Sequence, residues 1–377
     1  MHKGTLLLTL NMFSATGGIE KVSRVVGKVL QDIATEQLGE KVSIFSMYDK
    51  QGDVDERYFP AAVFSGFGEN KWRFVYKAVR KGINSRQVIL SHSNLLLAGF
   101  LIKTFSPKTK LILLAHGIEV WSPFSFLKKR MLSKCSRVVA VSQFTKNKML
   151  AVQKLANHSV SILNNCLNPY LEIPTNNGKE ETLLQRYGLS AQDKVLMTLT
   201  RLSSKEQYKG YDNVLYAIKM LTKEIPSIKY LLVGKYDAAE RERLDAIIAG
   251  LDLQHQIIFT GFIADEELAA HYSIADLYIM PSKKEGFGLV FIEAMFYGKP
   301  VIAGNRDGSV DALGNGDFGL LVNPNEVVEI AAAISKVFKN QQAFIPNREK
   351  VLNRFGYKEY KDNWSKILNT LTPKPLN

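Results

Sequence analysis

Two cysteines, Cys135 and Cys166, are all that 377 residues contain. So few exclude a disulfide scaffold and fit a reducing compartment. Long hydrophobic runs are missing too. The longest apolar stretch, near Leu95–Ile102, stops at Lys103, well short of the ~20 residues that span a bilayer. No part of the chain is therefore expected to cross a membrane. A single Lys precedes the short run Thr5–Leu10, without a cleavage-site pattern, so this run reads as a first strand rather than a signal peptide. No Asp-x-Asp pair sits at a strand end in a metal-binding context, and no Cys/His cluster has zinc spacing. Neither a Gly-x4-Gly-Lys-Ser/Thr loop nor a Gly-x-Ser-x-Gly elbow occurs.

Acidic residues are scarce in one half only. Residues 1–168 carry 24 Lys+Arg and 10 Asp+Glu, a net of +14, whereas the remainder carries 25 and 26, a net of −1. All the excess of the +13 total belongs to the first half, which points to an anionic partner there. At 46% hydrophobic and 23% charged the chain is ordinary globular material, and its length calls for two domains.

The periodicity alternates. Strand-like runs fall at Thr5–Leu10, Val42–Met47, Gln87–Ser91, Lys110–His116, Arg137–Ser142 and Val160–Asn164. Helical patterns separate most of them, at Ile19–Ile33, Leu95–Phe105, Phe126–Lys134 and Phe144–Val152. A turn-rich stretch follows, with Asn168–Pro169, Pro174 and Asn176–Gly178. A second series has strands at Val195–Thr200, Lys229–Val233, Gln256–Thr260, Leu277–Met280, Pro300–Ala303 and Gly319–Val322. Its helices are Asp212–Glu224, Ala239–Leu251, Glu266–Ala275, Leu289–Tyr297 and Val327–Phe338. Such alternation predicts two doubly wound α/β domains facing a cleft, with ligands at the carboxyl ends of the strands. Beyond them, Tyr357, Tyr360, Trp364, Ile367, Leu368 and Leu371 share a helical face. This amphipathic helix is expected to pack back across the domain junction.

The strongest local signal runs from Pro281 to Met295 and includes Glu285-Gly286-Phe287-Gly288-Leu289 and Glu293. A strand ends, a glycine turn follows, and a helix begins near Leu289. Gly286 and Gly288 allow close backbone approach, and the N–H groups at the helix start favour an anion. Two carboxylates here would repel a phosphate, so hydroxyls of a sugar and a ribose are their better partners. On spacing alone, a dipole-favoured Glu285 beside an ordinary surface Glu293 accounts for the pattern equally well.

The segment resembles the Glu-x7-Glu motif of retaining glycosyltransferases of family 4, of the bacterial glycan-biosynthesis type, which have the GT-B fold. Further segments resemble the family in order along the chain: Gly17-Gly18-Ile19-Glu20, His116-Gly117-Ile118-Glu119, Arg137–Ser142, Gly261-Phe262 with Asp265, and Gly298–Gly304. The resemblance implies an α/β GT-B architecture of two doubly wound Rossmann-like domains. An acceptor-side domain would occupy 1–168, with helix 356–377 packing back on it, and a nucleotide-sugar donor domain 169–355.

It also implies roles. Glu285 would hold donor sugar hydroxyls and Glu293 the ribose, while Arg201 and Lys209 would grip the diphosphate. His116 would contact the transferred sugar, and the Gly18 N–H would reach the phosphates. The implied catalytic set is Glu285, His116, Arg201 and Lys209; the donor-contacting set is Gly18, Arg201, Lys209, Gly286, Phe287, Gly288, Leu289 and Glu293. Neither a metal nor a cofactor is implied, only the nucleoside-diphosphate sugar as donor substrate. Departures are Thr200 where the family has Gly, Lys205 as a rival to Lys209, Asn164–Asn168 in place of an Asn-Gly-Val-Asp ending, and His116-Gly in place of His-Asp.

The reading is therefore a metal-independent retaining transferase in polysaccharide or glycolipid synthesis. It would move a hexose, mannose or glucose by family precedent, to a glycan or lipid-linked glycan. A GT-B nucleotide-sugar epimerase or phosphorylase is the alternative, and a basic nucleic-acid-binding protein the remote one, since no nucleic-acid module is present. Two basic segments, Lys71–Lys81 and Phe124–Lys134, suggest reversible peripheral contact with an anionic leaflet. That would place a cytoplasmic protein at the inner face of the plasma membrane. In the first segment Trp72, Val75, Tyr76 and Val79 form the expected core stripe, with Phe74 on the opposite, charged face.

Overall fold

The computed structural model describes residues 4–36, 40–173 and 178–370. Pro174, Asn176, Asn177 and Leu371, singled out above, lie outside them. The chain divides into two units: residues up to Pro169 together with those from Gly356 on, and Tyr170–Phe355 between.

The first unit is built on seven strands: β1 Thr5–Thr9, β2 Val42–Ser46, β3 Phe64–Gly66, β4 Gln87–Leu90, β5 Lys110–Ala115, β6 Arg137–Ala140 and β7 Val160–Ile162. They pair in the order β3-β2-β1-β4-β5-β6-β7, each pair parallel. The near-continuous apolar runs of β1, β4 and β5 are those of strands buried on both faces. Chain direction across the sheet reverses between β1 and β4, so the loops after these two strands diverge and leave a crevice at their carboxyl ends. Phe64–Gly66 carries only one large apolar residue, too little for a strand signal, yet it extends the sheet beside β2.

Helix Lys71–Gly82 corrects the expected stripe. Phe74, Ala78 and Gly82 are buried, whereas Trp72 and Tyr76 are exposed and Val75 and Val79 lie half-buried at the margin. The reason is fit. Phe74 meets Phe67 edge-on at 5.3 Å, and Gly82 leaves room for Ile102, whose Cδ1 would lie 2.4 Å from any added Cβ. Four apolar residues outnumber this trio, but Trp and Tyr tolerate water at their polar edges and the sheet accepts the narrower face. Phe74→Ala is expected to cost about 3–5 kcal/mol and Trp72→Ala within about 0.5 kcal/mol, as urea unfolding of the two variants would measure.

Residues Tyr357–Thr370 form a helix that belongs to this first unit and packs on helix Gly18–Glu36. Trp364, Tyr360 and Leu368 are its buried residues. The Tyr357 hydroxyl donates to Asp32 Oδ2 at 2.6 Å, and Lys361 pairs with Glu36.

The second unit holds β8 Lys194–Leu199, β9 Ile228–Val233, β10 Ile257–Gly261, β11 Leu277–Met280, β12 Val301–Gly304 and β13 Leu320–Val322. Their order is β10-β9-β8-β11-β12-β13, again all parallel. Leu196, Tyr230, Ile279 and Ile302 of the sheet close one core with helices Tyr211–Leu221 and Val327–Lys339. Here the order reverses between β8 and β11. The loops after those two strands carry Arg201, Lys209 and Glu285.

Candidate active site

The turn after β11 is specified by glycine and by a buried carboxylate. Gly288 has φ 87°, and a Cβ there would lie 2.5 Å from the Phe291 ring, so only glycine admits this entry into helix Leu289–Phe296. Asp307, buried beyond the end of β12, accepts the Glu285 N–H at 2.7 Å through Oδ2 and the Ser309 N–H at 2.9 Å through Oδ1. Gly308 donates to the Glu285 carbonyl at 2.8 Å, and a Cβ on Gly308 would lie 2.1 Å from the Gly286 carbonyl oxygen. The loop after β12 thus clamps the Glu285 turn from below. Asp-Gly after a strand was the available signal in the sequence, and its role there went unseen.

Burial pushes the Asp307 carboxyl up to about 6, and the neighbouring Glu285 charge adds to the rise against the pull of its Ser309 hydrogen bonds. An acid raised by folding holds its proton more tightly folded than unfolded. Its contribution is therefore greatest below 3.8 and is lost as pH rises through about 6. Chemical denaturation of the native chain should show about 2–3 kcal/mol more decline between those values than Asp307→Asn does.

Lys209 ends a short 3-10 turn, Gln207–Lys209, in the loop after β8, and its ammonium pairs with the Glu285 carboxylate. Burial pulls the Lys209 ammonium down, but Glu285, with Tyr208 and Glu206, outweighs it and holds the group above its ordinary value. The backbone enforces the meeting. Gly210 takes φ 77°, a Cβ there would lie 2.3 Å from the Pro281 carbonyl oxygen, and Lys283 donates to the Tyr208 carbonyl at 2.8 Å. Behind the loop, fully buried Glu240 accepts from Gln207 at 3.0 Å, Tyr211 at 2.6 Å and Arg243 at 2.7 Å. No motif announced this anchor, because Gln207 and Tyr211 lie 33 and 29 residues from Glu240 and each is individually ordinary.

Arg201 lies on the same loop but is more exposed and pairs with Glu206. Lys205 is exposed, and the structure brings Lys209 rather than Lys205 to Glu285. Glu293 is buried in the second turn of helix Leu289–Phe296. Burial pushes the Tyr278 hydroxyl well above its usual value, and the Glu285 and Glu293 charges add to the rise. Gly286, Phe287, Gly288 and Leu289 form the turn joining them.

In the first unit, Gly18 opens helix Gly18–Glu36, and nothing lies within 4 Å of a Cβ placed on it. The preceding loop is held by Asp49, which accepts the N–H groups of Met12 at 2.7 Å, Phe13 at 3.2 Å and Ser14 at 2.7 Å. His116 follows β5, donates from Nε2 to the Ser91 carbonyl at 2.7 Å and gives its own N–H to Glu119 Oε1 at 2.6 Å. Gly117, at φ 147°, makes that turn possible. The structure adds neighbours that no motif marked. Burial pulls His92 down, Glu119 opposes this, and His116 and Lys128 reinforce it. Lys128 donates to Ser93 Oγ at 3.1 Å. His92, His116, Glu119 and Lys128 thus gather at the carboxyl ends of β4 and β5. Among the described residues no three His, Cys, Asp or Glu side chains are placed to hold a metal ion.

Two parallel-sheet Rossmann-like domains with these loops at their strand ends define the GT-B fold. Residues 179–362 match the family model described as "Glycosyl transferases group 1". Over 177 residues the chain is 29% identical to mannosylfructose-phosphate synthase of Agrobacterium fabrum, a match covering 45% of this chain and 38% of that protein. It is also 29% identical over 187 residues to the GDP-mannose-dependent alpha-(1-6)-phosphatidylinositol monomannoside mannosyltransferase of Mycolicibacterium smegmatis, covering 48% and 46%. The chain thus spans less than half the length of these relatives. HepE of Anabaena, solved in complex with UDP and glucose, shares the fold with a TM-score of 0.78 at 21% identity, over 98% of this chain and 100% of that one.

Proposed function

We propose that this chain is a retaining, metal-independent glycosyltransferase that moves a hexose from a nucleoside-diphosphate sugar to a glycan or lipid-linked glycan. The observation that carries the reading is the half-buried Lys209–Glu285 pair, held at a strand-carboxyl edge by Asp307 on one side and Glu240 on the other. A cation and a carboxylate locked together suit a ligand that is both anionic and hydroxylated. Lys209 and Arg201 take the diphosphate, Glu285 accepts from sugar hydroxyls, and Glu293 accepts from the ribose. Gly18 and the Gly286–Leu289 turn offer backbone N–H groups.

In the reaction, the bond from the sugar's anomeric carbon to the diphosphate oxygen breaks while an acceptor oxygen bonds to that carbon on the same face. The acceptor proton passes to the departing phosphate oxygen. Lys209 and Arg201 stabilise the charge that grows on the leaving group, so their contacts strengthen toward the transition state. His116, beside His92 and Glu119, stands at the edge where the acceptor and the transferred sugar would meet. Mannose or glucose is supported by the mannosyltransferase relative and by the UDP and glucose bound to HepE.

A thermal-shift panel of UDP, GDP and ADP with their hexose conjugates tests the donor. At a hundredfold excess over Kd the correct nucleotide should raise Tm by about 5 °C or more. Silence across the whole panel would remove the donor reading. Nucleotide release without any acceptor would replace transfer by an epimerase-type reaction.

A further inference from the structure

We propose that the first unit carries a docking rim for an anionic lipid bilayer, formed by the first turns of three neighbouring helices at the carboxyl edge of its sheet. Helices Lys71–Gly82, Leu96–Phe105 and Phe126–Leu132 pack side by side over one face of the sheet and bury Phe74, Ile102 and Leu132 in one core. The first two follow a parallel strand and start near the edge where that strand ends, and Lys128 of the third donates to Ser93 Oγ at 3.1 Å, just before the start of the second. Large apolar side chains crowd those starts and point into solvent. Trp72 is 88% exposed, Phe126 83% and Leu127 58%, with Tyr76 and Leu97 also exposed. Among the described residues, none of these belongs to the buried core of the unit. Trp and Tyr are the side chains that settle at the boundary between headgroups and acyl chains.

The charge around the rim selects the bilayer's composition. From Asn70 to Leu171 the sequence has 17 Lys and Arg and one acid, Glu119. That acid is turned inward, accepting the His116 N–H. Lys71 and Arg73 lie exposed in the first turn of the first helix, and Lys77 one turn further on. The opposite face of the sheet is unlike this one. It is covered by helices Gly18–Glu36 and Tyr357–Thr370, which bring Asp32, Glu36, Glu359 and Asp362. The unit is thus basic and aromatic on one side and mixed in charge on the other. A polyanion such as DNA would satisfy the lysines but gives no reason for unpartnered Trp72, Phe126 and Leu127 in the same rim. Aromatic anchors ringed by cations match headgroup phosphates above acyl chains. This surface is argued from the first unit alone and does not depend on the donor site.

Flotation of the full chain with vesicles of phosphatidylcholine and phosphatidylglycerol, against phosphatidylcholine alone, is the test. Retention is expected only with phosphatidylglycerol, with a blue shift of Trp72 emission. Each of Trp72→Ser and Phe126→Ser should weaken it about tenfold or more. Each of Lys71→Glu and Arg73→Glu should weaken it about fivefold or more. All four variants should keep the native Tm and any nucleotide-induced shift, so a failed donor reading and a failed rim are separately visible. No retention by phosphatidylglycerol vesicles overturns the proposal. So does retention indifferent to Trp72 and Phe126, or equally tight capture of an oligonucleotide that displaces the vesicles, which would mark a plain polyanion surface.

Discussion

Lys209→Ala is expected to lower transfer by about 10²–10³-fold in kcat, the scale of removing one preorganised donor from a developing anion. The structure explains why a single lysine should matter so much. Its ammonium is held against Glu285 by Gly210 packed on Pro281 and by the Gln207–Glu240 bond behind it, so it needs no reorganisation when the diphosphate departs. Removing it also leaves Glu285 and the nearby buried Asp307 facing each other without a cation. Glu285→Ala should cost a comparable factor through lost sugar contacts, and the double variant should lose much less than the product of the two. Lys209→Arg should not restore activity, because a planar fork does not replace a point charge in this space. Exposed Lys205→Ala should remain within a few-fold of the native rate. Glu206→Gln, which releases Arg201 from its exposed ion pair, should tighten donor binding about two- to fivefold. Steady-state rates with saturating donor decide the matter, and near-native turnover in Lys209→Ala would remove the lysine from the mechanism.

The second large effect lies far from that site. Trp364→Ala is expected to destabilise the first unit by about 3–5 kcal/mol, since its indole is fully buried. Tyr357→Phe should lose about 0.5–1.5 kcal/mol with the Asp32 hydrogen bond. Urea unfolding followed by circular dichroism measures both. A loss below about 1 kcal/mol for Trp364→Ala would mean that helix Tyr357–Thr370 is an ornament rather than part of the core.

Both sheets were legible because parallel strands buried on two faces read as continuous apolar runs, and Leu277–Met280 was expected at its observed bounds. The observed strands commonly stop a residue or two before the apolar runs do. Ser91 and His116 lie beyond the strand ends, where the His116 Nε2 donates to the Ser91 carbonyl. Helix Lys71–Gly82 was expected in place but rotated. Composition counts apolar side chains, whereas packing selects those whose shape the sheet admits, and Phe74 with Gly82 fits better than Trp72 with Tyr76. Helices Glu181–Arg186 and Arg348–Phe355 went unseen, the first for its brevity and the second because only Val351 and Phe355 are buried.

At the site, Glu285, Glu293, Arg201 and Lys209 were visible as a spaced pattern of charge after strand ends. Asp307, Glu240 and Asp49 were not. Asp307 and Asp49 accept backbone N–H groups, and Glu240 joins Gln207 and Tyr211 from a distant part of the chain; such partners leave no periodic mark. The residues proposed to touch a ligand advertise themselves by type. Those that aim them do so through contacts that exist only after folding.

The path of the chain through the first unit sets a timetable for its synthesis. Leu30 and Ile33 of helix Gly18–Glu36 emerge from the ribosome early, but Leu368, which lies beside them, emerges only after all of Tyr170–Phe355. At about 5–20 residues per second the delay is about 17–67 s. During it the second unit, continuous in sequence, can complete its own core while the first holds apolar surface open to water or to a chaperone. Nascent chains stalled before Gly356 would therefore carry a finished second unit and a sticky, unfinished first one.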